Sequence, residues 1–142
     1  MANFDPFVFK TEDYGKTWRA LTKTLPRGPV NYAHCIREDP VRKGLLYLGT
    51  ENALYVSLND GVEWFPLQNN LPHAPVNWLT VQENVSDLAV ATYGRGFWIL
   101  DDISPLREIA PETLDAQAFL FSPRPAYRLH HVNALVLLCQ IR

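Results

Sequence analysis

Four groups of residues in this chain have side chains that hydrolytic or binding chemistry uses. They are the adjacent carboxylates Asp101 and Asp102, Arg95 between Gly94 and Gly96, the histidines His34, His73, His130 and His131, and Asp13 inside the segment Thr11–Trp18. Two carboxylates flanking one bond are the tools of glycoside hydrolysis. Neighbours on a strand point to opposite faces, however, so Asp101 and Asp102 do not converge without a bulge. Their place just before Ser104-Pro105, which reads as a Ser-capped helix start, predicts a solvated turn or a cap instead.

A guanidinium between two glycines offers a planar fork to a carboxylate or phosphate, with backbone free to approach a ligand closely. The competing expectation for Arg95 is a bond to exposed carbonyls of a neighbouring structural unit. The four histidines show no metal-ligand spacing with cysteine or carboxylate. No Gly-rich phosphate loop, nucleophile elbow or HExxH helix occurs in the sequence. No catalytic residue, metal ligand or cofactor is therefore expected.

The elements that position these groups follow from an internal repeat. Gly15, Trp18, Leu21, Leu25, Pro26, Pro29, Val30 and Asn31 recur as Gly61, Trp64, Leu67, Leu71, Pro72, Pro75, Val76 and Asn77, each pair 46 residues apart. Thr11 with Ser57 and Asp13 with Asn59 keep the same offset. Part of a third copy follows, since Leu54-Tyr55-Val56 resembles Phe97-Trp98-Ile99 at an offset of 43, which implies a shorter intervening loop. A period in the forties, with short β-branched and aromatic runs between Gly, Pro, Asn and Asp, fits one four-stranded β-propeller blade. Helical repeats would need long stretches at the 3.6 period, and none precedes Ser104.

The expected fold class is all-β, a partial β-propeller of about two and a half four-stranded antiparallel blades with a short helical or irregular C-terminal tail. Residues 6–22 make a half blade with strands at 7–12 and 17–21. Residues 28–68 make a blade with strands at 30–37, 44–50, 53–59 and 63–68. Residues 74–102 make a second blade with strands at 76–83, 87–93 and 96–101 and no fourth strand in register. The tail, 104–142, begins with helix signals at Ser104-Pro105 and Pro111-Glu112 and ends in a crossing segment or a strand for a neighbouring blade. A closed propeller has four to eight blades, so the expected partners are further blades or other copies of the chain.

Thr11-Glu12-Asp13-Tyr14-Gly15-Lys16-Thr17-Trp18 matches the Asp-box pattern Ser/Thr-x-Asp-x-Gly-x-Thr-Trp at every specified position. Ser57-Leu58-Asn59-Asp60-Gly61-Val62-Glu63-Trp64 is a looser copy, with Asn59 for Asp and Glu63 for Thr. The chemistry is that of a turn: Asp13 or Asn59 accepts bonds from nearby amides, Gly15 or Gly61 takes positive φ, and the tryptophan anchors the turn on the sheet. Thr11, Asp13, Gly15, Thr17 and Trp18, with Ser57, Asn59, Gly61 and Trp64, are thus read as structural.

With 13 basic and 15 acidic side chains, no field of one sign invites nucleic acid or an anionic membrane. Ala134 to Cys139 is the longest apolar run and is too short to span a bilayer. Asp5 and Pro6 interrupt the first ten residues, so no secretory signal is read there. Cys35 and Cys139 are expected to be free thiols rather than a disulfide framework.

Taken together, residues from about Phe7 to Arg128 resemble the Asp-box (BNR-repeat) propellers, a family that includes sialidases, xyloglucan-active glycosidases and sortilin-type receptors. Asp87 to Arg107 looks like the closing blade of large bacterial BNR-repeat proteins. The resemblance implies that the Asp boxes lie opposite the ligand face and that the parent is secreted or periplasmic. It places the ligand face on the loops bearing Arg27, Asn70, His73, Tyr93 and Arg95. It also implies a scaffold or binding module for protein, peptide or carbohydrate. The alternative is a fragment of a secreted glycoside hydrolase whose catalytic residues lie mostly in other blades.

Overall fold

The computed structural model of the chain describes residues 4–125. The expectations for His130, His131, Cys139 and the apolar run 134–141 lie outside the described residues. What is described is mostly β structure, arranged as antiparallel sheets of two, four and three strands. The first sheet pairs β1 (Phe9–Lys10) with β2 (Arg19–Ala20). The second orders β3 (Ala33–Glu38), β4 (Leu46–Thr50), β5 (Leu54–Ser57) and β6 (Phe65–Pro66). The third orders β7 (Val76–Gln82), β8 (Asp87–Thr92) and β9 (Phe97–Leu100).

The second sheet is packed on both sides, which explains why β4 reads as a continuous apolar run rather than an alternating one. Leu46 and Leu48 join Val8, Leu21, Leu25 and Trp64 in a core against the first sheet. Tyr47 points the other way and joins Leu54, Val56, Val76, Leu79, Leu88 and Val90 in a core against the third. Gly49 marks how closely β7 approaches. A Cβ built there would lie 2.6 Å from both Val76 Cγ1 and the Val76 carbonyl oxygen.

The expected strands are present, with one change of register. Arg19–Ala20 and Phe65–Pro66 hold the 46-residue offset, but β3 begins at Ala33 rather than Val30. Val30 lies in a turn and is half exposed, whereas Val76 is fully buried at the start of β7. The connection 21–32 is longer than 67–75, so the structural counterpart of Cys35 is Trp78 and the strand offset falls to 43. Each first strand carries an irregularity at the matching place, between Ala33 and Cys35 and between Val76 and Trp78.

After β9 the chain turns into α1 (Ser104–Glu108) and α2 (Pro111–Asp115). Ser104 is not the helix cap that its sequence suggests: Ile103 holds that position, and the Ser104 amide and hydroxyl both donate to Asp102 Oδ1. Those bonds, the hydroxyl's first, hold the Asp102 carboxyl below the usual aspartate range. Ile103 is buried in the core, and Arg107 grips the fully buried Asp39 side chain through Nε and Nη2 at 3.0–3.1 Å. Arg42 donates to the Leu106 carbonyl from the other side. Asp39 is further committed to the Val41 and Arg42 amides, so α1 is tied to the β3–β4 turn through a fully occupied carboxylate. Among the described residues, no helix is long and apolar enough to cross a membrane.

Candidate functional site

Antiparallel meanders place successive connections at alternate ends of the strands. The turns 11–18, 39–45, 58–64 and 83–86 therefore share one end. Lys10 and Arg19 on Asp60 join the first pair of sheets there, and Arg107 bridges Asp39 and Ser86. The connections 21–32, 51–53, 67–75 and 93–96 share the other end. There His73 Nδ1 lies 3.2 Å from the Asn52 carbonyl oxygen, and the Tyr93 amide donates to the Pro75 carbonyl. Arg27, Asn70, His73, Tyr93 and Arg95 are all at this second end, away from the turns 11–18 and 58–64.

The turns 11–18 and 58–64 are bonded alike. In the first, the Gly15 amide donates to Thr11 Oγ1 at 2.8 Å, and the Thr17 amide donates to Asp13 Oδ1 at 2.8 Å. In the second, the Gly61 amide donates to Ser57 Oγ at 2.8 Å, and the Glu63 amide donates to Asn59 Oδ1 at 2.9 Å. Both turns carry a left-handed non-glycine residue followed by a left-handed glycine: Tyr14 and Gly15 at φ 58° and 90°, Asp60 and Gly61 at 59° and 77°.

The departures from the pattern at Asn59 and Glu63 compensate each other. Asp13 accepts from the Thr17 hydroxyl at 2.6 Å, whereas Asn59 donates its amide to the Glu63 carboxylate at 3.0 Å. Donor and acceptor have exchanged sides of one contact. Hydrogen bonds from Thr17, side chain first, pull the Asp13 carboxyl down to about 2.

The tryptophans differ from each other. Trp64 is 6% exposed and its indole donates to the Leu21 carbonyl at 2.6 Å. Trp18 is 62% exposed, so it is not the buried anchor that the motif suggests; its indole donates locally, to Gly15. The first sheet lies behind Trp64, and no described sheet lies behind Trp18.

At the opposite end, three side chains that the sequence did not bring together converge on the β4–β5 turn. His34 Nε2 lies 2.7 Å from Glu51 Oε2, and the Tyr32 and His34 rings are 5.0 Å apart. Phe4 extends the aromatic edge, 5.8 Å from Tyr32. Hydrogen bonding from His34 and then Tyr32 lowers the Glu51 carboxyl below its ordinary value, and the same contact raises the Tyr32 phenol. The result is an ionised acceptor held between an imidazole and a phenol beside exposed ring faces. That combination suits a hydroxyl-rich ligand, whose donors meet the carboxylate while its apolar face lies on an aromatic ring. Among the described residues, no three or more His, Cys, Asp or Glu side chains group as a metal set.

No family model, no curated protein and no solved structure matches the chain.

Of the residues singled out in the sequence, His73 reaches the cluster through Asn52, and Tyr93 stands beside Pro75, two residues further along. Arg27 and Asn70 line separate depressions, Arg27 with Asp5, Pro6 and Phe7, Asn70 with Leu54, Leu71 and Trp98. Arg95 is exposed and its guanidinium makes no hydrogen bond or ion pair within the described residues; only its carbonyl is used, by the Trp98 indole. The expected bond from Arg95 to carbonyls of an adjacent unit is thus not made there. Gly94 and Gly96 take φ of 77° and 76°, which gives the turn its need for glycine. Arg95 precedes β9 and Asp101–Asp102 follow it, so the arginine and the two carboxylates sit at opposite ends of the strand. Cys35 is a free thiol whose pKa burial pushes up and whose Sγ donates to the Val76 carbonyl at 3.5 Å.

Tyr32, His34 and Glu51 were missed because a contact across a strand pair, 17 residues apart for His34 and Glu51, leaves no local pattern. One signal was present. Glu51-Asn52 occupies the turn that corresponds to Tyr93-Gly94-Arg95 in the third sheet, a turn already marked as a ligand loop.

Proposed function

We propose that the chain is a non-catalytic segment of an Asp-box β-propeller that serves as a scaffold or binding module for carbohydrate or protein. The observation that carries this reading is the pair of hairpins, whose turn amides are bonded alike at the repeat spacing, with sheets stacked in chain order on either side of the second. Radial repetition of such sheets, each covering the next, is how a propeller buries apolar faces. The Tyr32–His34–Glu51 cluster and the turn bearing Arg95 then form the ligand-binding end, and the Asp boxes serve as scaffold at the other.

Calorimetry of the full chain against a panel of neutral and acidic oligosaccharides, with turnover followed in the same mixtures, tests the reading. The expected outcome is binding without turnover. Glu51→Gln is expected to weaken that binding about tenfold, the loss of a charge-assisted bond of roughly 1.4 kcal/mol. Turnover that disappears in Arg95→Ala would instead identify a glycoside hydrolase fragment.

A further inference from the structure

Each joint between sheets uses the back of one and the front of the next. The back of the second sheet consists of two cross-strand rows, Cys35–Gly49–Leu54 and Arg37–Tyr47–Val56. The third sheet covers it, leaving Tyr47, Leu54 and Val56 between 0% and 5% exposed. The matching rows on the third sheet are Trp78–Ala91–Phe97 and Thr80–Ala89–Ile99. Arg37 lies 4.3 Å over the Trp78 ring, but Phe97 is 86% exposed and Ile99 56%.

The opposite face is bare at the other end of the stack. Tyr55 and Trp64 form part of the front of the second sheet and pack against the first. Their counterparts 46 residues earlier, Phe9 and Trp18, are 53% and 62% exposed, with Phe7 stacked beside Phe9. One chain therefore presents both halves of a sheet-to-sheet joint, each uncovered by the described residues.

We propose that a second copy of this chain fills the joint, the back of the third sheet of one copy receiving the front of the β1–β2 hairpin of the next. The proposal rests on the propeller reading and names its partner. The side chains at matched positions carry it. In the joint between the first and second sheets, Lys10 meets Asp60 at 2.7 Å. The repeat carries Lys10 to Val56 and then to Ile99, and carries Asp60 back to Tyr14. In that joint both positions are charged. Where the bare face offers Ile99, the bare partner position offers Tyr14, which is fully exposed. Both positions have become apolar together, as an interface core requires. Such a contact is heterologous, so its repetition extends a stack or closes a ring.

Sedimentation velocity of the full chain over a wide concentration range, with amide exchange of β4 and β8 on the same samples, tests this. The expected result is a mass that rises with concentration beyond a dimer. Ile99→Lys and Tyr14→Asp should each weaken association about tenfold or more, the equivalent of one buried apolar contact. The double variant Ile99→Lys/Tyr14→Asp rebuilds across the joint the ion pair made by Lys10 and Asp60, and should regain association. A monomer with β4 and β8 protected overturns the second-copy joint and leaves the propeller reading in place. A monomer with those strands unprotected overturns both. Association that neither single variant changes overturns the assigned faces.

Discussion

The hairpins at 11–18 and 57–64 share a backbone and a bonding scheme, yet one tryptophan is buried and the other stands in solvent. Local residues fix the turn in both cases: a hydroxyl at the first position, an Asx side chain two residues on, and glycine at positive φ. What lies behind the indole is set by the neighbouring sheet. The same motif therefore has a covered indole in one place and an exposed one in the other. A motif reports its own geometry but not its environment.

The largest expected effect sharpens that comparison. Trp64→Ala removes a ring packed on Leu21, Leu25 and Leu48 and leaves the Leu21 carbonyl without its donor. It should destabilise the chain by about 3–5 kcal/mol. Trp18→Ala, measured at a dilution where the chain is monomeric, should change stability by no more than about 0.5 kcal/mol. Urea titrations of the two variants side by side provide the check. Equal losses would mean that Trp18 is covered in solution, and the comparison would fail.

A smaller effect addresses the turns themselves. Asn59→Asp sets a carboxylate against Glu63 in place of a donor, and should cost about 1 kcal/mol. Adding Glu63→Thr converts the second turn to the chemistry of the first and should recover most of that loss. Thermal melts of the single and double variants decide it. No recovery would show that the two departures from the motif are independent rather than paired.

Much of the fold was legible because its signals are local. Gly15 and Gly61 mark turns, Trp18 and Trp64 mark the strands that follow, and short β-branched runs at matched offsets locate the nine strands of the described residues to within a few positions. β3 begins later than its sequence suggests because Pro29-Val30-Asn31 copies Pro75-Val76-Asn77 while the longer connection shifts it out of the strand. The candidate site was less legible. Arg95 was visible through its flanking glycines, and His73 only through the ligand face that the family resemblance implies. Tyr32, His34 and Glu51 meet only once β3 and β4 pair, and no spacing along the chain encodes that pairing.

The smallest expected effect is a pH dependence confined to the first turn. Asp13 titrates near 2 in the folded chain against an ordinary value of 3.8, because its ionised form accepts bonds from Thr17. A carboxyl with a depressed folded value contributes stability that is fully present above its unfolded value and is lost as pH falls through the folded one. The contribution of Asp13 should therefore hold above about pH 4 and fade between about 4 and 2. Protection of the Gly15 and Thr17 amides, taken relative to their intrinsic exchange rate at each pH, should fall over that range. In Asp13→Asn the same amides should lose this acid dependence, since the substituted side chain cannot ionise. The second turn already has Asn59 at the matching position, so its amides at Gly61 and Glu63 provide an internal reference that carries no such aspartate. A loss of protection at Gly61 equal to that at Gly15 would remove the distinction between the turns.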